Sequence, residues 1–154
     1  MVFGEAIKTC FSKYATFTGR AQRSEFWYFV LLFVIAEIAG IIIDEATDTG
    51  VAGKLITLVL FLPFLAVFAR RLHDIGRTGW WVLLPFVPVL ISTWIIIVET
   101  PGVFDISSGS GIGAIVVTLI VSILLLVWCS SRGTSGQNRF GPDPLADMVG
   151  ATSA

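Results

Sequence analysis

Three segments hold most of the residues in this chain that could do chemistry: FTGRAQRSEFWYF at 17–29, RRLHDIGRTGWW at 70–81 and NRFGPDP at 138–144. Each sets arginine beside glycine and aromatic rings. A guanidinium forks onto phosphate or carboxylate oxygens, and a tryptophan beside it fills the membrane–water boundary. Arg20, Arg23, Trp27, Arg70, Arg71, His73, Arg77, Trp80, Asn138, Arg139 and Phe140 are therefore candidates for contact with anionic lipid or with a partner protein. Glu25 and Asp74 belong to the same set and offer another use for it. They can take the arginines as ion-pair partners, so that the three segments dock on one another as a folded cap.

Other constellations are thinner. His73 and Asp74 are the lone histidine and an adjacent acid, a start toward a lipid-modifying enzyme that lacks a positioned nucleophile. Asp74 also lies one helical turn from Arg70, Arg71 and Arg77, which favours pairing with them. A metal centre needs three or four ligands. One histidine with Cys10 and Cys129 at opposite ends of the chain does not reach that, so no metal and no cofactor is expected. Glu37 is an acid placed roughly 9 Å inside an apolar stretch at the helical rise. Buried acids of this kind mark ion or proton paths, or pair structurally; Lys54 is the expected partner. Ala36 and Gly40 beside it favour close helix packing. Pro63, Pro85 and Pro88 each remove a backbone donor inside an apolar stretch and allow a kink or hinge.

The elements that must position these residues are four apolar stretches, Glu25–Ile43, Val51–Ala69, Trp80–Val98 and Gly113–Cys129. Each approaches the length a helix needs to cross ~30 Å of hydrocarbon. The chain of 154 residues is 55% hydrophobic and only 14% charged, against roughly 25% in soluble domains. Mean hydropathy is +0.88. The expected fold is all-α: a polytopic four-transmembrane-helix bundle, a single membrane domain over 1–154, with little soluble chain in which to build an enzyme.

Charge alternates from loop to loop. Lys8, Lys13, Arg20 and Arg23 precede the first stretch, Arg70, Arg71 and Arg77 separate the second from the third, and Arg132 and Arg139 follow the fourth. These are nine of the ten basic residues. The other two loops carry Asp44, Glu45 and Asp48, then Glu99 and Asp105. The positive-inside rule places both termini and the middle loop in the cytoplasm. No basic start followed by an apolar run is seen at the N-terminus, so the first stretch is expected to be retained as an anchor. Both cysteines then fall in a reducing compartment, where a disulfide is not expected. The basic residues are spread over membrane-flanking loops, with no extended face to follow a nucleic acid.

Residues 3–14 place Phe3, Ile7, Cys10, Phe11 and Tyr14 on one helical face and Glu5, Lys8, Ser12 and Lys13 on the other. This predicts an N-terminal amphipathic helix lying in the membrane interface, or packed on the ends of the spans. Ser24 is a candidate N-cap for the first span, Gly76 a stop for the second and Thr78 a cap for the third. The Gly- and Ser-rich loop from Glu99 to Ile112 reads as exposed, and 130–154 as a polar cytoplasmic tail.

The three arginine segments also carry a resemblance. In order and sequence they are similar to the signature of a bacterial inner-membrane family known as domain-of-unknown-function family 805. The likeness covers nearly the whole chain, and RRLHDIGRTGWW is its most specific part. It implies a four-span protein of the plasma membrane and implies no activity. It makes Gly19, Arg20, Arg23, Glu25, Trp27, Arg70, Arg71, His73, Asp74, Gly76, Arg77, Gly79, Trp80, Asn138, Arg139, Phe140, Gly141 and Pro142 the family's characteristic positions.

The functional expectation is a non-enzymatic membrane protein whose Arg/Gly/aromatic cap binds anionic lipid or a membrane or cytoplasmic protein, with a homo-oligomer among its candidate assemblies. The alternatives are a small oligomeric channel or transporter using Glu37, and a lipid-modifying enzyme using His73 and Asp74.

Overall fold

The computed structural model describes residues 1–99 and 109–146. The described residues are helical apart from turns and one isolated bridge. A short helix, α1 (Phe3–Ser12), leads to two long ones, α2 (Arg23–Thr47) and α3 (Ala52–Asp74). A 3₁₀ helix (Gly79–Leu83), α4 (Phe86–Glu99) and α5 (Gly109–Ser130) follow. Three of the helices are long and apolar enough to cross a membrane: Arg23–Thr47, Ala52–Asp74 and Ile112–Ser130.

The helices α2 and α3 form an antiparallel hairpin that is closed tightly at one end. There the Asp44 carboxylate accepts the Ala52 and Gly53 backbone N–H groups at 2.7 and 2.9 Å, capping α3 from the last turns of α2. Gly40 faces Gly53 so closely that a Cβ on Gly40 would lie 2.9 Å from the Gly53 Cα. Further along, Phe26, Phe68, Phe64 and Phe33 run between the two helices as a chain of rings with centroids 5.0–5.8 Å apart. The outward faces keep apolar side chains exposed, Leu58 at 73% and Ile41 at 66% among them. Bare apolar surface of this extent is what acyl chains cover.

At the other end, the start of α2, the end of α3 and the end of α5 converge; we call this the cap end. α3 stops as expected at Gly76, in a complete Schellman turn. Gly76 takes φ +76°, its N–H donates to the His73 carbonyl, and the Arg77 N–H donates to the Leu72 carbonyl. α2 departs from expectation: it starts at Arg23 behind Gln22, with Ser24 already inside its first turn.

The third apolar stretch differs most. The expected helix over Trp80–Val98 is two pieces. The 3₁₀ helix begins behind Thr78, and the Leu84 N–H closes on the Trp81 carbonyl. Pro85 then has no N–H to continue the ladder, and α4 begins at Phe86. The hydroxyl of Thr118 on α5 donates to the Pro85 carbonyl at 3.3 Å. α4 alone is 14 residues, ~21 Å at the helical rise. It packs along α5.

α1 packs against α2 with Ala6 and Cys10 buried. Its rings turn to the hairpin, Phe3 edge-on to Tyr28 and Phe11 to Phe29. The helix ends at Ser12, so Tyr14 lies beyond it. The loop from Glu99 to Ile112 falls largely outside the described residues, as does the tail beyond 146.

Candidate functional site

Asp74 is the centre of the cap. It stands in the last turn of α3 and is 4% exposed. Arg20, from the segment before α2, donates to its Oδ1 through Nε and Nη2, both at 2.8 Å. Arg71, one turn back on α3, donates to its Oδ2. Both guanidiniums also gather backbone carbonyls. Arg20 reaches Gly136 at 2.6 Å and Thr134. Arg71 reaches Cys129 at 2.9 Å, Ala21 at 3.3 Å and Ser131. One carboxylate thereby ties α3 to the start of α2 and to the chain leaving α5.

A second pair lies beside the first. Arg70, fully buried, donates through Nη1 to Glu25 Oε1 at 2.6 Å. The Cys10 thiol of α1 meets the same oxygen at 3.8 Å. Burial pushes this thiol's pKa up to about 12, with the Glu25 charge adding to the rise and Arg70 opposing it. Arg70 Nε and Nη2 are buried with no hydrogen-bond partner among the described residues.

The tail closes the cap from outside. α3 ends with carbonyls that no helical N–H can reach, and residues 131–141 supply donors to them. Thr134 donates to the Asp74 carbonyl through both N–H and hydroxyl, each at 2.9 Å. Asn138 donates its amide to the His73 carbonyl at 3.1 Å, and Arg139 reaches the Gly76 carbonyl at 3.0 Å. A reciprocal bridge between Asn138 and Gly141 shapes this turn. Two backbone donors, Leu145 and then Gly136, hold the Asp143 carboxyl below its usual range.

His73 and Asp74 do not act as a pair. The His73 ring stacks on Phe140, with centroids 4.0 Å apart and planes 5° from parallel. Its Nδ1 meets the Gly19 carbonyl at 3.1 Å, while Asp74 is engaged by the two arginines. Asp74 pairs with Arg71, one of the three neighbours favoured for it, and with Arg20, so the alternative of an acid–histidine dyad is not formed; the two neighbouring side chains serve different elements.

The chain matches the family model described as a protein of unknown function (DUF805) over residues 14–142. It belongs to that family. Among its relatives, the inner membrane protein YhaH of Escherichia coli K12 is 33% identical over 137 residues, covering 85% of this chain and 88% of the relative. The inner membrane protein YhaI of the same strain is 35% identical over 136 residues, covering 85% and 87%. The uncharacterized protein YiiR is 33% identical over 135 residues, covering 83% and 85%. No solved structure matches. With its apolar helices, DUF805 membership makes this an integral membrane protein, related to proteins of the bacterial inner membrane.

The three arginine segments of this DUF805 chain do come together, but they divide by exposure. Arg20, Glu25, Arg70, Arg71 and Asp74 are buried and paired with one another, though Arg70 keeps two unpartnered nitrogens; they are not placed to meet a lipid directly. Arg23, Arg77 and Arg139 are exposed, as are Trp27 and Trp80. Arg23 donates to the Ser130 carbonyl at 3.5 Å, Arg77 stacks over Trp128 at 3.6 Å, and Arg139 lies over the Phe140 ring at 4.6 Å.

Glu37 lies apart from this cap, toward the tightly closed end of the hairpin. It accepts a hydrogen bond from the Thr57 hydroxyl at 2.8 Å. Lys54, the partner expected for it, is exposed and is not paired with it among the described ion pairs. Thr57 lies one helical turn further into α3, level with Glu37. Sequence reasoning missed Thr134 and Gly133. A Cβ on Gly133 would collide with Asp74 Oδ2, so only glycine leaves room for the carboxylate there. A glycine following the last arginine-flanked span is the signal that could have drawn attention to it.

Proposed function

We propose that the protein is a non-enzymatic membrane protein whose cap holds anionic lipid headgroups through Arg23, Arg77 and Arg139 beside Trp80. The observation that carries this reading is the internal pairing of the other arginines. Arg20, Arg70 and Arg71 are committed to Asp74 and Glu25, which builds a rigid platform. The cations left on its surface share this end of the molecule with Trp80, which is 78% exposed, and Arg77 lies over a second indole, Trp128. Arginine with an interfacial indole suits a phosphate at the membrane boundary.

The same geometry supports the fuller topology. α3 ends at the cap and α5 also ends there. We read the chain between them, the 3₁₀ helix with α4, as the path to the opposite end and so as a fourth, broken crossing. Both termini then share the cap side, and the positive-inside rule makes that side cytoplasmic. α1, lying on α2 with Glu5 and Lys8 exposed, is read as the interfacial helix.

The test is lipid analysis of the purified protein. Wild type should carry more anionic lipid than the surrounding membrane, and Arg23→Ala/Arg77→Ala/Arg139→Ala should lose that enrichment. Equal enrichment in the variant would overturn the reading and favour a protein partner or a second copy on this face.

A further inference from the structure

A crevice of about 620 Å³ opens between α3 and the 3₁₀ helix, within the roughly 300–1,000 Å³ typical of ligand sites. Ala69 and Leu65 form its wall on α3, the exposed Leu83 its lipid-facing wall, Trp80 its rim, and His73 and Phe140 its cap-side end. Its polar side chains are His73, Thr18 and Thr78, with the Trp80 indole. The His73 ring is fixed by its stack on Phe140 and by the Gly19 carbonyl. A carbonyl only accepts, so Nδ1 carries the proton, and in the neutral ring Nε2 presents a bare lone pair. Nε2 faces Gly79, where a Cβ would approach it to 3.2 Å, and Gly79 also lines the crevice. Among the described residues no donor meets Nε2.

The site thus asks for three things together: an apolar chain, a hydrogen-bond donor at the chain's polar end, and an anion for the exposed Arg139 over Phe140. An uncharged lipid lacks the anion, phosphatidylethanolamine sets a second cation beside Arg139, and a phosphatidic acid has no donor separate from the phosphate that Arg139 takes. We infer that the crevice seats one acyl chain of a phosphoglycerol lipid, whose headgroup hydroxyl donates to His73 Nε2 while its phosphate lies against Arg139. This rests on the anionic-lipid reading above and names the lipid and its seat.

The test uses the full chain in nanodiscs with phosphatidylglycerol bearing a photoactivatable acyl chain, followed by peptide mapping. Native mass spectra with phosphatidylglycerol and phosphatidic acid in competition complete it. Crosslinks should map to residues 65–83. Leu83→Trp fills the crevice from its lipid-facing wall and should cut retention of the bound lipid about tenfold or more. Leu65→Phe, which narrows the crevice from α3, should act in the same direction and serves if Leu83→Trp does not fold. His73→Asn keeps an N–H for Gly19 and removes the Nε2 acceptor. It should erase a preference for phosphatidylglycerol over phosphatidic acid of roughly fivefold, the value of one hydrogen bond. Crosslinks elsewhere, with retention unchanged in both filling variants and anionic enrichment intact, would overturn the seat and leave the general reading standing. Loss of anionic enrichment in the wild type itself would remove both.

Discussion

The Tyr14 hydroxyl donates to the Val59 carbonyl at 2.5 Å. Val59 lies four residues before Pro63, and a helical carbonyl at that position is normally met by the N–H that proline lacks. A side chain just beyond α1 thus repairs the ladder of α3 in the middle of an apolar span, where an unmet carbonyl is costly. Tyr14→Phe should lower stability by about 1 kcal/mol. The same change in a Pro63→Ala background should cost markedly less, because an alanine at that position supplies its own N–H. A double-mutant cycle by thermal unfolding in a fixed detergent reads this coupling; equal penalties in both backgrounds would refute the repair.

Two glycines should tolerate no side chain. Gly133→Ala drives a methyl into the Asp74 carboxylate, and Gly40→Ala drives one into the Gly53 backbone. Each should destabilise by about 1–3 kcal/mol, the usual range for overpacking. They differ in location. Gly133→Ala should loosen the cap, seen as faster proteolysis within 131–141. Gly40→Ala should separate the far ends of α2 and α3 and leave that tail protected.

Cys10 should be nearly inert. With a pKa of about 12, its thiolate fraction at pH 8 is roughly one in ten thousand, and the thiolate is the reactive form. Maleimide labelling of the folded protein, followed by peptide mapping, should leave Cys10 unmodified over hours and modify it rapidly once the chain is denatured. Labelling at the rate of a free cysteine in the folded state would contradict the buried Cys10–Glu25 contact.

The long spans were legible because composition alone dictates them. Nothing but burial in lipid accommodates the apolar runs that became α2, α3 and α5. The stop of α3 at Gly76 was legible because a left-handed turn there suits glycine. What was not legible was which arginines face inward. Arg20 finds Asp74 at a sequence separation of 54, and Arg70 finds Glu25 at 45. No local pattern distinguishes these arginines from Arg23 or Arg77. Pro85 and Pro88 signalled a kink, but the 3₁₀ start at Gly79–Leu83 depends on the close approach of Gly79 to Ala69. The partner of Glu37 was misjudged by one helical turn, since Lys54 offers the opposite charge but Thr57 has the level.

We propose that the buried arginines hold the cap together and the exposed ones hold lipid. This is tested most directly by comparing Arg20→Gln with Arg23→Gln/Arg77→Gln/Arg139→Gln for thermal stability and for anionic lipid retained in native mass spectra. Arg20→Gln leaves Asp74 short of a buried partner and should cost about 3–5 kcal/mol. The triple variant should unfold within a few degrees of wild type yet lose its bound anionic lipid. A stable Arg20→Gln protein, or a triple variant that retains lipid as wild type does, would contradict the account.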